Sequence, residues 1–163
     1  MQYLIISGMA VILFYLDTLI NSLMPLGPFY FTSHLFLIYL LILSVYKHPS
    51  VALVLGTVFG IASDVYFSTI YGIYTFGYIV CTMLMSRLFN VFYKDTMMMI
   101  SLLIGFVLLF ELLFYVIYRI LYSSSSGIFY FLFYHGLPSV LINFVLIFVL
   151  FPTVLKFLNR STY

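Results

Sequence analysis

Apolar runs of about twenty residues, broken only by short clusters of proline, glycine and charge, fill almost the whole chain, and that is the length a helix needs to cross the hydrocarbon core of a bilayer. The breakers divide the sequence into six spans, at about 3–24, 29–46, 50–67, 73–92, 96–122 and 138–158. Pro25-Leu26-Gly27-Pro28 closes the first, Lys47-His48-Pro49 the second, the stretch through Gly72 the third, and Tyr93-Lys94-Asp95 the fourth. A Ser123-Ser124-Ser125-Ser126-Gly127 linker follows the fifth. Ile128 to Leu137 is aromatic and too short to cross alone, and Pro138 suits the first turn of the sixth helix. Open strands cannot span lipid, because their backbone groups would go unpaired, and these runs do not alternate as barrel strands would. The expected fold is an all-α polytopic bundle of six transmembrane helices forming a single integral membrane domain.

Composition closes off the soluble alternative. Only 6% of the 163 residues are charged, against roughly a quarter in a soluble domain. The net charge of +2 is scattered, so the chain has no electrostatic footprint for nucleic acid. Cys81, the lone cysteine, lies in an apolar run and reads as a buried, inert thiol. Met1-Gln2 runs straight into apolar sequence without a basic n-region or a small-residue cleavage site, so the first span is expected to be retained. Lysine and arginine collect on cytoplasmic loops. With the N-terminus inside, Lys47, Arg87, Lys94, Lys156 and Arg160 all fall near the cytoplasmic face and only Arg119 lies toward the outside. Both termini are therefore expected in the cytoplasm, with the aromatic segment at the outer surface. There Tyr130, Phe131, Tyr134 and His135 are candidate contacts for headgroups or a partner.

Four ionisable residues sit within spans away from the cytoplasmic ends: Asp17, Asp64, Glu111 and Arg119. A charge at depth costs at least about 2.5 kcal/mol, so such groups pair inside the bundle or mark a functional site. Asp17 and Asp64 lie near outer ends, where water is close. Glu111 is the deep one, expected to be protonated or paired across helices with a hydroxyl or amide such as Asn143. Arg119 follows it by about 12 Å of helical rise on the same face, too far for direct contact. His34, His48 and His135 are dispersed, with no Cys, Asp or Glu at metal-ligand spacing. No nucleophile elbow, phosphate loop or dinucleotide fingerprint is present. Asp17 and Asp64 lack the flanking motifs of an intramembrane aspartic protease. The chain is therefore not read as an enzyme, and no catalytic residue, metal or cofactor is assigned.

The most specific pattern is in the third span. Gly56, Gly60 and Asp64 recur at i, i+4 and i+8, one stripe down one helix face. Glycines at that spacing let a second backbone approach closely, and an acid at the end of the stripe can accept hydrogen bonds from the free amides of a neighbouring turn. Gly72 permits a sharp turn, and Gly77 offers a second close-packing point in the fourth span.

The segment GTVFGIASDVYFSTIYGIYTFGY, Gly56 to Tyr78, resembles the glycine, glycine, aspartate, glycine pattern of the bacterial rod-shape-determining MreD family. The proline-rich first turn, the leucine-rich second span HLFLIYLLIL and a last span carrying Asn143 and Pro152 extend the resemblance over nearly the whole chain. It implies a non-enzymatic scaffold of the cell-wall elongation machinery in the bacterial cell membrane. Such a scaffold binds the bitopic protein MreC directly. Through it, the scaffold connects, indirectly, to MreB filaments and to peptidoglycan synthases such as RodA and its transpeptidase partner. It also implies a fold similar to the substrate-binding components of energy-coupling-factor transporters. That similarity opens an alternative, a small-solute binding component of a transporter, although span one lacks the small-x-x-x-small pair such proteins use to dock. The glycine stripe is then expected to build the bundle core or receive a partner helix, and the aromatic segment near Phe131 to contact MreC.

Overall fold

The computed structural model describes residues 2–23, 25–26, 29–47, 49–91, 96–122 and 127–160. Met24, Gly27, Pro28, His48, Lys94 and Asp95 and the serine linker 123–126 lie outside the described residues. Helix α1 (Gln2–Leu23) is followed by two short strands, β1 (Pro25–Leu26) and β2 (Phe29–Tyr30), then by helices α2 (Leu35–Tyr46), α3 (Pro49–Phe67), α4 (Ile73–Val91) and α5 (Thr96–Tyr122). A short helix α6 (Ile128–Phe131) runs through a π turn (Leu132–Gly136) into α7 (Leu137–Arg160). The strands pair antiparallel, Pro25 with Tyr30 and Leu26 with Phe29. Four helical stretches are long and apolar enough to cross a bilayer, Tyr3–Leu23, Pro49–Phe67, Thr96–Tyr122 and Ile128–Leu158, and the shorter apolar helices Leu35–Tyr46 and Ile73–Phe89 pack with them. The chain is an all-α polytopic membrane protein.

At the centre is α2. Its sequence, LFLIYLLILSVY, is apolar on every side, which is the signature of a helix with no wet face. Leu35 through Ser44 are all buried, and α1, α3, α4, α5 and α7 all touch this helix. Two differences from the sequence reading matter for the site. Helix was expected from Phe29, yet it begins only at Leu35, and residues 31–34 have no regular structure. Twelve helical residues rise only about 18 Å, less than a full crossing needs, and the chain before them is not helical. Backbone of that kind survives in a membrane protein only when other groups take up its hydrogen bonds.

The second difference is at the other end of the chain. The aromatic segment was expected as a separate surface piece ending where a sixth helix starts at Pro138. It is instead continuous with that helix through the π turn, in which the Leu137 N–H reaches back to the Leu132 carbonyl. Pro138 explains the widening, since it cannot donate to the carbonyl of Tyr134 and its ring would crowd that carbonyl in a regular helix.

Helices α3 and α4 share the most extensive contact in the bundle. The turn between them depends on Gly72, whose φ of +95° lies where side chains are strained. The core near α4 is aromatic: Tyr78 stacks on Phe110 at 5.4 Å and Phe36 meets Tyr78 edge-on at 5.4 Å.

Candidate functional site

The glycine stripe is used within the chain itself. A methyl group placed on Gly60 would lie 2.6 Å from the Cα of Thr75, so the α3 and α4 backbones touch there. Gly56 faces Leu40 and Tyr78, and Gly77 makes room for the ring of Phe110 on α5, 2.6 Å from where its own Cβ would stand. Asp64, one turn beyond Gly60, caps α4: its carboxylate accepts from the Tyr74 N–H at 2.8 Å, the Thr75 N–H at 3.1 Å and the Thr75 hydroxyl at 2.6 Å. These are the orphan donors of a helix start, where the macrodipole also favours an anion. The stripe therefore closes the α3–α4 hairpin, and the face it occupies is filled by α4 rather than open to a partner helix.

A second constellation surrounds the non-helical segment before α2. On α1, Asn21 bonds Ser33 in both directions, taking its N–H at 2.6 Å and donating to its carbonyl at 3.1 Å. One turn earlier, Asp17 accepts from the Ser33 hydroxyl and from the N–H groups of Leu35 at 3.0 Å and Phe36 at 3.4 Å, so it caps α2 much as Asp64 caps α4. On α7, Asn143 takes the His34 N–H at 2.8 Å and donates to the carbonyls of Thr32 at 2.8 Å and Ser139 at 2.7 Å. Ser139 takes the Thr32 N–H at 3.3 Å and bonds its hydroxyl. From α5, Glu111 accepts from the Thr32 hydroxyl and lies 2.9 Å from Nε2 of His34. Asp17, Ser33, Glu111, Ser139 and Asn143 are all buried. Three helices thus hold one non-helical strand of chain by side chains alone, a polar clamp in a setting where each unpaired backbone group costs several kcal/mol.

The clamp changes the picture of the intramembrane residues. Asp17, Glu111 and Asn143 converge on it. Glu111 pairs with a hydroxyl and an imidazole, whereas Asn143, named as its candidate partner, serves the backbone of the same segment. Arg119 stands apart: its Nη1 donates to the Tyr115 hydroxyl at 2.7 Å, one turn back on its own helix, and its guanidinium lies 5.8 Å from the centre of that ring. Asn21, Thr32, Ser33, His34 and Ser139 were missed. Two signals pointed to them: the run Thr32-Ser33-His34 inside apolar sequence, and the i, i+4 polar pairs Asp17/Asn21 and Ser139/Asn143.

Of the expected outer contacts, Phe131 is buried, stacked on Tyr115 at 4.5 Å, and so presents no surface. His135 lies flat on Tyr30 at 4.3 Å. Tyr130 and Tyr134 stack at 4.5 Å, and Phe129, Tyr130 and Phe133 are exposed. The π turn rotates the helix faces on either side of it, which is why the buried and exposed aromatics do not follow a simple 3.6-residue period.

Between α1, α3, α4 and the clamp lies a cavity of about 300 Å³, with Asp17, Thr18 and Thr32 on one wall and Ser63, Tyr74 and Tyr78 on the other. Among the described residues no group of three His, Cys, Asp or Glu side chains could hold a metal ion. The hydroxyls of Thr32 and Ser33 donate to the carboxylates of Glu111 and Asp17.

Fold and site together define a multi-pass helical membrane protein whose buried polar groups hold its own backbone in place. Over residues 1–161 the sequence matches the family described as MreD, rod shape-determining protein MreD, and the chain belongs to that family. This gives it a role in the determination of rod shape. Comparison with curated proteins and with solved structures finds no match.

Proposed function

We propose that the chain is a non-catalytic scaffold of the bacterial cell-wall elongation machinery, a single integral membrane body with six crossings and both termini in the cytoplasm. In this reading it binds MreC directly and couples through it to MreB and to the peptidoglycan synthases. The observation that carries the reading is how the clamp's polar side chains are used. Asn21, Ser139 and Asn143 bond backbone groups of residues 32–34, and Asp17 bonds those of the first turn of α2, as a rigid docking body requires and as a reaction centre, with groups free to move protons, does not.

The docking surface in this reading is the exposed aromatic patch of Phe129, Tyr130 and Phe133, with Tyr134 beside it. With the N-terminus inside, this patch lies at the outer end of the bundle, on the side where a bitopic partner carries its extracellular domain. Aromatic side chains give large contact area at low entropic cost and dominate such interfaces. The test is co-purification in mild detergent. Wild-type chain is expected to retain MreC, and Phe133→Ala with Tyr130→Ala to reduce the retained MreC at least about tenfold, the effect of losing about 1.4 kcal/mol, with unchanged membrane abundance. Full retention by the double variant would exclude this patch, and failure of the wild-type chain to retain MreC would overturn the scaffold reading itself.

A further inference from the structure

The geometry points to the cavity beside the clamp as a binding site for a small organic ammonium ion. Charge is the first argument. Two buried carboxylates, Asp17 and Glu111, face a single imidazole, His34, and among the described residues the only salt-bridge partner seen for the clamp's acids is His34, with no lysine or arginine lining the cavity. Even with His34 protonated, the acids outnumber the cations, in a setting where an uncompensated charge is expensive. The α2 N-terminus offsets part of this through Asp17. However, the second oxygen of Asp17, Oδ2, receives only the long 3.4 Å contact from Phe36, while Oδ1 holds the bonds from Ser33 and Leu35. Asp17, a residue only 8% exposed that lines the cavity, therefore has a carboxylate oxygen with hydrogen-bonding capacity to spare.

The rest of the wall is tuned the same way. Thr18 donates its proton to the Phe14 carbonyl at 2.9 Å, Ser22 to Leu19 at 2.8 Å, and Ser63 to Phe59 at 2.9 Å. Thr32 gives its proton to Glu111. The protons of these four hydroxyls are thus engaged within the protein, and what they can offer a ligand is an acceptor oxygen. Asn21 and the rings of Phe14, Phe67, Tyr74 and Tyr78 complete the lining, and ring faces attract cations when water is excluded. A volume of about 300 Å³ is at the small end of ligand pockets. Acceptor oxygens, a carboxylate and aromatic faces favour a donor-rich cation over an anion. This goes beyond the scaffold reading and does not depend on it.

The test compares three probes of nearly equal size and different charge, benzylamine, benzyl alcohol and benzoate, by thermal unfolding of the full chain in phosphatidylglycerol nanodiscs. Benzylamine is expected to raise the melting temperature saturably, by about 2–4 °C at about five times its dissociation constant, while benzyl alcohol and benzoate leave it unchanged. Thr18→Leu, which fills the cavity without touching the clamp, and Asp17→Asn are both expected to abolish the rise. Because Asp17 also caps α2, Thr18→Leu decides the matter if Asp17→Asn does not fold. Absence of a benzylamine shift, an equal shift with benzyl alcohol, or an undiminished shift in Thr18→Leu would overturn the proposal. A shift that discs of phosphatidylethanolamine abolish assigns the ammonium to a lipid headgroup, and one that they leave intact assigns it to a free amine. Either of these supports the site.

Discussion

Replacing Gly60 by alanine adds one methyl group at the place where α3 and α4 come closest, and its cost follows from the distances there. The new Cβ would stand 2.6 Å from the Thr75 Cα, 3.0 Å from its Oγ1 and 3.1 Å from its N. Carbon atoms rest at about 3.5–4.0 Å, so the two helices must part by about 1 Å, and backbone atoms cannot swing aside as a side-chain tip would. The same separation stretches the three bonds from Tyr74 and Thr75 to Asp64, now 2.6–3.1 Å. Overpacking of this kind costs about 1–3 kcal/mol, and weakening hydrogen bonds to a charged acceptor adds about 1.5–3 kcal/mol when one is lost outright. The expected destabilisation is about 3 kcal/mol. It is measurable by titrating SDS into mixed micelles and following helicity by circular dichroism, since the chain has no tryptophan to report. Gly8→Ala and Gly105→Ala are the internal controls, because a Cβ at either position meets nothing within 4 Å. They are expected to be neutral, or more stable by up to about 1 kcal/mol from the better helix propensity of alanine. If Gly60→Ala stays within about 0.5 kcal/mol of the wild type, or Gly8→Ala costs as much as Gly60→Ala, the close backbone contact is not what holds the hairpin together.

Two further outcomes test the capping and the clamp. Asp64→Ala is expected to cost about 2 kcal/mol and to speed hydrogen exchange at the Tyr74 and Thr75 amides, with Asp64→Asn losing less because it keeps an acceptor; equal losses from both would show that the acceptor is irrelevant. Asn143→Leu strips partners from the His34 N–H and the Thr32 carbonyl together and is expected to cost about 2–4 kcal/mol in the same SDS titration. Thr153→Val, on the exposed side of the same helix where the hydroxyl bonds only its own Val149 carbonyl, is expected to change stability by less than about 0.5 kcal/mol.

What could be read from the sequence was set by local geometry. Helical periodicity alone puts Gly56, Gly60 and Asp64 on one face, and a glycine pair ending in an acid announces both a close approach and a cap. The contact with Thr75 and the bonds to Tyr74 and Thr75 are what that pattern becomes once α4 lies against α3. The residues of the clamp were harder to read, because each looks ordinary in its own span. Glu111 and Thr32 are 79 positions apart, and Asn143 and His34 are 109 apart. Hydropathy records that each is polar but not which of them meet. Phe29 to His34 is apolar enough to pass for the start of a helix, and Phe131 passes for an exposed interface residue, because a one-dimensional reading does not register the π turn that moves it inward.

The sequence by itself determined the solvent, the number and order of apolar segments, and the family, because scarcity of charge and the spacing of glycines act locally and survive in any arrangement of the helices. Tertiary structure alone decided that α2 is short and central, that the chain before it is not helical, and that Asp17, Glu111 and Asn143 belong to one site. The reason is the hydrogen-bond requirement of backbone in a bilayer. A stretch that passes for helix in isolation is held out of the helix once neighbouring helices offer acceptors for the amides of Thr32, Ser33 and His34, and that offer exists only after the bundle has formed.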